Sequence, residues 1–135
     1  MQTQSGPLAA RHGESLLVVE DDDGIRETLR ILLEIEGYKV RAAENGRTGL
    51  DVLQRMDRPC LVLLDLMMPV MNGWEFLEAA RSRQEFADLP VIVVTAFKEQ
   101  AGSIKANGVI TKPVDLNTLL STVRHWCGCP GDEKE

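Results

Sequence analysis

Short apolar runs alternate with helical patterns along nearly the whole chain, and this alternation constrains the fold more than any other feature. Three runs of four aliphatic residues stand at 16–19, 61–64 and 91–94, and a weaker one stands at 108–111. Runs of this length are typical of strands that are buried on both faces of a parallel sheet. Residues 38–43 alternate apolar and polar side chains, which is typical of an edge strand. The sequence therefore predicts five strands.

Between these strands the apolar residues recur at helical spacing. Ile25, Leu29, Leu32 and Leu33 fall on a single stripe of a helix. Three more helices are predicted after Asn45-Gly46, from Gly73 and from about Asp115, and their apolar positions are Leu50, Leu53, Met56, Leu77, Ala80, Leu116, Leu119, Leu120, Val123 and Cys127. Repeated strand–helix alternation predicts an α/β domain with helices on both faces of a parallel sheet.

Length and charge limit the possible classes. The 135 residues suit one domain, which we expect over residues 15–127, between a polar leader at 1–14 and a polar tail at 128–135. The net charge of −6 argues against direct binding of nucleic acid. The apolar stretches are too short to span a bilayer and the leader lacks the apolar core of a signal peptide, so we expect a cytoplasmic protein without membrane contact.

The three cysteines fit a reducing compartment. Cys60 opens an apolar run, and we interpret it as a small buried apolar residue. Cys127 and Cys129 form a CxC pair just after His125, but a zinc site needs a fourth ligand that the sequence does not supply. We expect none of these residues to carry the function.

Polar side chains stand where the predicted strands end. Glu20 and Asp21 follow the first strand, Asp65 follows the run at 61–64, and Thr95 and Lys112 end the last two strands. Asp65 by itself could be a surface residue that caps a turn. Because the carboxyl ends of parallel strands meet at one edge of the sheet, where ligands bind, the five residues together favour a functional site.

The chemistry of these side chains indicates phosphoryl transfer. Closely spaced carboxylates repel one another, and a hard divalent cation such as Mg²⁺ removes that repulsion. A carboxylate nucleophile such as Asp65 can form an aspartyl phosphate, while the Lys112 amine and the Thr95 hydroxyl stabilise the transferred group. A cis bond between Lys112 and Pro113 would turn the lysine toward the site. Asp22 and Asp23 have a simpler interpretation, because acidic residues favour the first turn of a helix.

Four motifs in order resemble the receiver domains of bacterial two-component response regulators. They are LLVVEDDDGIRE at 16–27, LVLLDLMMPVMNGWEFL at 61–77, VIVVTA at 91–96 and TKPVD at 111–115. Each motif is weak alone, but all four at near-family spacing are specific, and the resemblance covers about residues 15–127. It implies a doubly wound, flavodoxin-like parallel sheet of order 2-1-3-4-5 with five helices.

The resemblance also implies the site and its partners. Asp65 would accept a phosphoryl group from a sensor histidine kinase or a histidine phosphotransfer protein, and Thr95 and Lys112 would contact that group. Mg²⁺ would be held by Glu20, Asp21, Asp65 and the backbone carbonyl of Met67. The domain would assist its own phosphorylation and dephosphorylation without being an enzyme for other substrates, and would signal to a downstream protein.

Two departures from the family pattern concern the output of the domain. Val109 stands where members usually carry an aromatic residue that moves on phosphorylation. The stretch from Thr95 to Lys112 is also shorter than usual, which predicts a shortened fourth helix of no more than about two turns. Both changes lie where relatives commonly bind their targets.

Three other functions remain to be weighed. A haloacid dehalogenase-type phosphatase needs a second aspartate two residues after the nucleophile, where this chain has Met67. A flavin-binding module needs a loop after the first strand that can hold a phosphate, and the acidic residues at 20–23 would repel it. A receiver-like scaffold that is never phosphorylated is the alternative that the sequence leaves open.

Overall fold

The predicted strands pair into one parallel sheet in a computed structural model that describes residues 15–102 and 104–130. The five strands are β1 (Ser15–Val19), β2 (Lys39–Ala43), β3 (Leu61–Leu64), β4 (Val91–Thr95) and β5 (Gly108–Thr111). The four α-helices of the described residues are α1 (Asp23–Ile35), α2 (Gly46–Arg55), α3 (Gly73–Arg81) and α4 (Leu116–Cys127). The predicted leader at 1–14 and the last part of the predicted tail lie outside the described residues.

The strand order is β2-β1-β3-β4-β5, and all four pairings are parallel. This confirms the predicted order 2-1-3-4-5 and the edge position of the alternating strand, β2. The residues of β3 and β4 are all buried because helices cover both faces of the sheet. Among the helices of the described chain, none combines the length and the apolar character that crossing a membrane requires.

Side chains of the strands alternate between two hydrophobic clusters, one on each face of the sheet. Leu16 and Val18 pack on one face with residues of α1 and α4. Leu17 and Val19 pack on the other face with residues of α2 and α3. Each fully buried aliphatic side chain stabilises the fold by about 1.5–3 kcal/mol relative to an exposed one. The sheet is therefore a rigid base for the residues at its carboxyl edge.

Each α-helix begins at a side chain that accepts a hydrogen bond from the backbone of its first turn. These caps are Asp22, Asn45, Asn72 and Asp115. The prediction that Asp115 caps the last helix is confirmed, but Leu116 is 45% exposed and does not belong to the core as predicted. The caps fix where the chain turns from each site loop into the following helix.

The prediction of a short fourth α-helix is wrong in the type of helix, because Lys98–Ala101 forms a short 3-10 turn between β4 and β5. The described chain thus has four α-helices where the family pattern implied five. Few apolar side chains in this connection could form a buried stripe, and Gly102 follows the turn directly. The described residues from 104 to 107 form no regular secondary structure before β5 begins.

The prediction for the cysteines is also wrong in part. Cys60 is buried as expected, but it forms a disulfide with Cys127 across 67 positions of sequence, and Cys129 is free. A metal site of His125, Cys127 and Cys129 is therefore not formed. Beside the disulfide, the Tyr38 hydroxyl donates a hydrogen bond to the carbonyl of Gly128 at 2.6 Å. The predicted tail thus begins with residues that contact the domain.

Candidate functional site

The register of the sheet brings the predicted site residues to one edge. The Asp65 N–H donates to the carbonyl of Val19 at 2.9 Å, so Asp65 leaves β3 beside the end of β1, where Glu20 begins. The Lys112 N–H donates to the carbonyl of Thr95 at 2.8 Å, which places the ends of β5 and β4 side by side. Parallel pairing of adjacent strands therefore gathers residues that are far apart in sequence.

Three carboxylates form the centre of the site. One oxygen from each of Glu20, Asp21 and Asp65 lies within 4.8 Å of the other two. Glu20 and Asp65 are 2% and 5% exposed, whereas Asp21 faces solvent. The Lys112 ammonium lies 2.8 Å from Glu20 Oε1 and 3.6 Å from Asp65 Oδ1. One cation therefore offsets only part of the negative charge.

The surroundings shift the pKa of both central groups. Burial, the charge of Glu20, and hydrogen bonds with the carboxyls of Asp21 and Glu20 raise the pKa of Asp65 to about 7, although the charge of Lys112 opposes the shift. Burial lowers the pKa of Lys112, but its close contact with the Glu20 carboxylate and the charges of both carboxylates outweigh burial and raise the pKa. Lys112 is therefore a fixed positive charge near neutral pH.

The donor set fits a hard divalent cation. Glu20 Oε1 is buried and has no hydrogen bond of normal geometry within the described residues, despite its proximity to the Lys112 ammonium. A buried carboxylate oxygen of this kind is costly unless a charge partner satisfies it. Two or three carboxylates at one solvent-accessible position are the ligand pattern of Mg²⁺, which retains several waters. The predicted ligands Glu20, Asp21 and Asp65 could together hold such an ion.

Thr95 is fully buried at the end of β4, and its Oγ1 accepts a hydrogen bond from the Phe97 N–H at 3.0 Å. The hydroxyl keeps its own proton available to donate to a ligand at the sheet edge. The peptide bond between Lys112 and Pro113 is cis, as predicted. The Met67 side chain is 48% exposed in the loop after Asp65, and the role of its carbonyl as a metal ligand stays a prediction.

Comparison with known proteins identifies the family of this domain. Residues 16–124 match the family model described as the response regulator receiver domain. The chain belongs to this family. Receiver domains are signalling domains of response regulators, so the site residues lie in a signalling domain with the order of strands that the family has.

Relatives cover most of this receiver domain. Response regulator MprA of Mycolicibacterium vanbaalenii is 40% identical over 114 residues, which are 81% of this chain and 48% of MprA. Protein PilH of Pseudomonas aeruginosa is 34% identical over 113 residues, which are 80% of this chain and 93% of PilH. The chain thus spans about half the length of MprA and nearly all of PilH.

The fold also resembles solved structures. The response regulator protein TrrA of Thermotoga maritima, solved in complex with Mg(2+)-BeF, is 29% identical with a TM-score of 0.75. The alignment covers 84% of this chain and 98% of TrrA. The doubly wound arrangement of the receiver is therefore shared along almost the whole of that structure.

The two acidic residues that follow Glu20 and Asp21 stabilise the start of α1. Asp22 caps α1 by accepting from the Ile25 N–H at 2.9 Å, and its own N–H donates to Glu20 Oε2 at 3.1 Å. Asp23 lies in the first turn of α1 and pairs with Arg26. The interpretation of Asp22 and Asp23 as helix-start residues agrees with these contacts.

The close packing of the backbone that supports Asp65 was not predicted from the sequence. Gly73 opens α3 so close to this backbone that a Cβ there would lie 2.5 Å from the carbonyl oxygen of Asp65. Val70, in the loop between them, has a φ of 69°, which is strained for a β-branched residue. The Asn72-Gly73 pair was the available signal, because it marks a helix start with an unusually close approach.

The rim of the receiver site is partly apolar. Met67, Val70 and Phe97 are each about half or more exposed, at 48%, 72% and 47%. Val109, in the position where the family usually has an aromatic residue, is 40% exposed on β5. Val109 and the short connection from β4 to β5 are the two places where the sequence predicts a departure from the family pattern.

Proposed function

We propose that this receiver domain accepts a phosphoryl group on Asp65 and passes the resulting change of conformation to a protein partner. The observation that supports the proposal is the placement of Asp65, buried between Glu20 and Asp21 with the Lys112 ammonium 3.6 Å away. A purely structural aspartate at a strand end has no need of two further carboxylates and a cation around it.

In the transfer, one carboxylate oxygen of Asp65 attacks the phosphorus of a phosphohistidine on a sensor histidine kinase or phosphotransfer protein. The new P–O bond forms as the N–P bond breaks, and the electron pair leaves with the imidazole nitrogen. Lys112 pairs with the negative oxygens of the phosphoryl group, and the Thr95 hydroxyl donates a hydrogen bond to one of them. Both groups are already positioned by adjacent strand ends.

Glu20, Asp21, Asp65 and the carbonyl of Met67 would hold Mg²⁺. When bound, this ion neutralises the crowded carboxylates and the charge of the phosphoryl oxygens. It also favours the ionised form of Asp65, which is the nucleophile, against the burial that raises its pKa. Mg(2+)-BeF in TrrA and the convergence of one oxygen from each of Glu20, Asp21 and Asp65 support this assignment.

The wider role follows from the same proposal. We propose a non-enzymatic phosphoacceptor over residues 15–127 that binds its phosphodonor and a downstream protein, without direct contact with nucleic acid or membrane. The cytoplasmic location stays a prediction from the sequence, and the disulfide between Cys60 and Cys127 argues against it, because disulfides are rare in reducing compartments. The net charge of −6 supports the exclusion of nucleic acid. The exposed apolar residues Met67, Val70 and Phe97 provide a surface next to the site on which a protein partner can pack.

Intact mass spectrometry after incubation with acetyl phosphate and Mg²⁺ tests the proposal. We expect one phosphoryl adduct on the wild type, none with excess chelator, and none on Asp65→Asn. Asp51→Asn is the matched control, since Asp51 is an exposed aspartate on α2 and its variant should be phosphorylated normally. An adduct of full intensity on Asp65→Asn contradicts the assignment. A wild type that gains no adduct from acetyl phosphate or a phosphohistidine donor favours the unphosphorylated scaffold instead.

A further inference from the structure

Arg26, on the first turns of α1, contacts the backbone that carries the first two predicted metal ligands. Its Nη1 donates to the carbonyl of Glu20 at 2.9 Å and lies 3.5 Å from the carbonyl of Asp21. Its Nη2 pairs with the carboxylate of Asp23 at 2.5 Å. Only 21% of its side chain is exposed, so the guanidinium is held against this junction.

We propose that Arg26 is a positioning residue of the metal site, which fixes the backbone of Glu20 and Asp21 so that their carboxylates converge with Asp65. The inference rests on the proposed function, because it assigns a role toward the cation that those carboxylates would hold. Arg26 contacts carbonyl oxygens and not the carboxylates of the two ligands, so it acts through their geometry.

The junction needs such support because it is short. Glu20 and Asp21 link the last residue of β1 to Asp22, the cap of α1. On one side, the Glu20 N–H donates to the carbonyl of Ala43 at 3.0 Å, which ties it to β2. On the other side, Arg26 holds the carbonyl of Glu20 at 2.9 Å, so the backbone of Glu20 is held at both its N–H and its carbonyl, and the second contact also fixes the peptide group that leads to Asp21.

The two ligands depend on this contact to different degrees. The Glu20 side chain is also held by burial and by Lys112. Asp21 is exposed, so the direction of its carboxylate depends mainly on the backbone at its position. Loss of the Arg26 contact should therefore loosen Asp21 more than Glu20. Supporting hydrogen bonds of this kind commonly change metal affinity by at least about tenfold when they are removed.

Because Arg26 is positively charged, a role through its charge and a role through positioning predict opposite changes in Mg²⁺ affinity when Arg26 is replaced. A guanidinium near a cation site repels the cation, so a role through charge alone predicts tighter Mg²⁺ binding when Arg26 is replaced. A positioning role predicts weaker binding. The ion pair with Asp23 offsets much of the guanidinium charge, which makes the geometric effect the larger of the two. The two roles therefore give opposite results in one measurement.

Arg30 provides the matched control. It lies about one turn further along α1 and pairs with Glu27 and with Glu34 of the same helix. Arg30→Ala removes the same charge from the same helix and also breaks ion pairs, but it leaves the junction at Glu20 and Asp21 untouched. Any general effect of charge or helix stability on Mg²⁺ binding will appear in both variants.

The experiment is an isothermal titration of the full chain with Mg²⁺ for the wild type, Arg26→Ala, Arg26→Lys and Arg30→Ala. We expect Arg26→Ala to raise the Kd about tenfold and Arg30→Ala to leave it within about twofold. Arg26→Lys, which keeps the charge but loses the planar, multi-donor geometry, should fall between them. Circular dichroism melts set the temperature so that all four proteins are folded.

If Arg26→Ala does not fold, Arg26→Met replaces it, because that variant keeps the length and apolar packing of the side chain but loses the charge and the donors, and it should weaken Mg²⁺ binding in the same direction. Equal affinity in Arg26→Ala and Arg30→Ala, or tighter binding in Arg26→Ala, overturns the inference. For Arg26→Met, an affinity equal to or tighter than that of the wild type overturns it in the same way. A wild type that binds no Mg²⁺ contradicts the metal assignment of the proposed function itself, so the two failures are distinguishable.

Discussion

The two halves of the sheet deliver their site residues through different kinds of connection. Glu20, Asp21 and Asp65 lie in the half built from β1, β2 and β3, where capped helices follow the strands. Thr95 and Lys112 lie at the ends of β4 and β5, which are joined by one 3-10 turn and irregular chain. The chemical groups are nevertheless brought to the same edge, because strand pairing and not the connection sets the positions of strand ends.

The two halves differ in how tightly their backbone is packed near the site. Close backbone packing around Asp65, including the contact at Gly73, holds this proposed nucleophile in place. The connection from β4 to β5 is exposed along Ala96–Gln100, and its apolar contacts with the core come from Ala101, Ile104 and Ala106. We infer that the first half tolerates little change, whereas the second half can change shape at low cost. The following predictions test this contrast.

Gly73→Ala should have the largest effect on stability. The added Cβ would lie 2.5 Å from the carbonyl oxygen of Asp65 and 2.8 Å from the Cα of Leu66, and backbone atoms cannot move aside as a side chain can. We expect the free energy of unfolding to fall by at least about 3 kcal/mol. Urea denaturation measures the change, and a loss under about 1 kcal/mol would show that the first half is more adaptable than its packing suggests.

Reduction of the Cys60–Cys127 disulfide should come next. The bond ties the start of β3 in the first half to the end of α4, closing a loop of 67 positions. Because a cross-link of this length restricts the unfolded chain, reduction should lower the free energy of unfolding by about 2–3 kcal/mol. Alkylation and intact mass should detect one free thiol before reduction and three after it. Cys129→Ser is the control and should leave both the disulfide and the stability unchanged.

Asp65→Asn should stabilise the protein in a manner that depends on pH. Without metal, the pKa of Asp65 rises from 3.8 in the unfolded chain to about 7 in the fold, so the folded state binds more protons between these values. The contribution of this group to stability therefore decreases as pH rises from about 4 to about 7, and the cost of the buried charge is fully present above that.

The variant should accordingly raise the free energy of unfolding by about 1–2 kcal/mol at pH 8 in chelator, and by much less at pH 4.5. Urea denaturation at both pH values measures this difference. Asp51→Asn, on the exposed face of α2, should show no such dependence. A gain that is equal at both pH values would mean that ionisation of Asp65 is not what costs stability in the acidic half of the site.

Val70→Gly should have a smaller, stabilising effect. The φ of 69° places an exposed, β-branched residue in the left-handed region, where glycine fits without strain. Relief of this strain exceeds the entropic cost of glycine, so we expect a gain of about 1 kcal/mol or less. A loss of stability would indicate that the Val70 side chain makes a contact in the loop that outweighs the backbone strain.

Gly102→Ala should have the smallest effect. Its φ is −62°, and an added Cβ would meet only the carbonyl oxygen of Glu99 at 3.5 Å, an ordinary contact. The reduced freedom of the unfolded chain should stabilise the protein by about 0.5 kcal/mol. The changes in stability of Gly73→Ala and Gly102→Ala compare the two halves of the sheet directly. A destabilisation of similar size at both glycines would refute the contrast.

Much of the site was predictable because its determinants are local. The aliphatic runs predicted the strands, Asp115 was recognised as a helix cap from its neighbours, and Asp65 and Lys112 stand directly at strand ends. Once strands are parallel, those ends must lie at one edge. The order of the sheet came from the resemblance of four motifs to a family, and not from the residues alone.

The tertiary structure decided what depends on distant contacts. Leu116 has the spacing of a core residue, but the elements of residues 15–102 and 104–130 leave it 45% exposed. Cys60 looks like any small apolar residue until the fold brings it beside Cys127, 67 positions later. From the sequence alone, the short connection after Thr95 could have been an α-helix. Arg26 could likewise have been a solvent-exposed charge, because a local pattern does not show which distant backbone groups a side chain will contact. Periodicity and strand ends are properties of neighbouring residues, whereas packing partners are chosen only when the whole sheet closes.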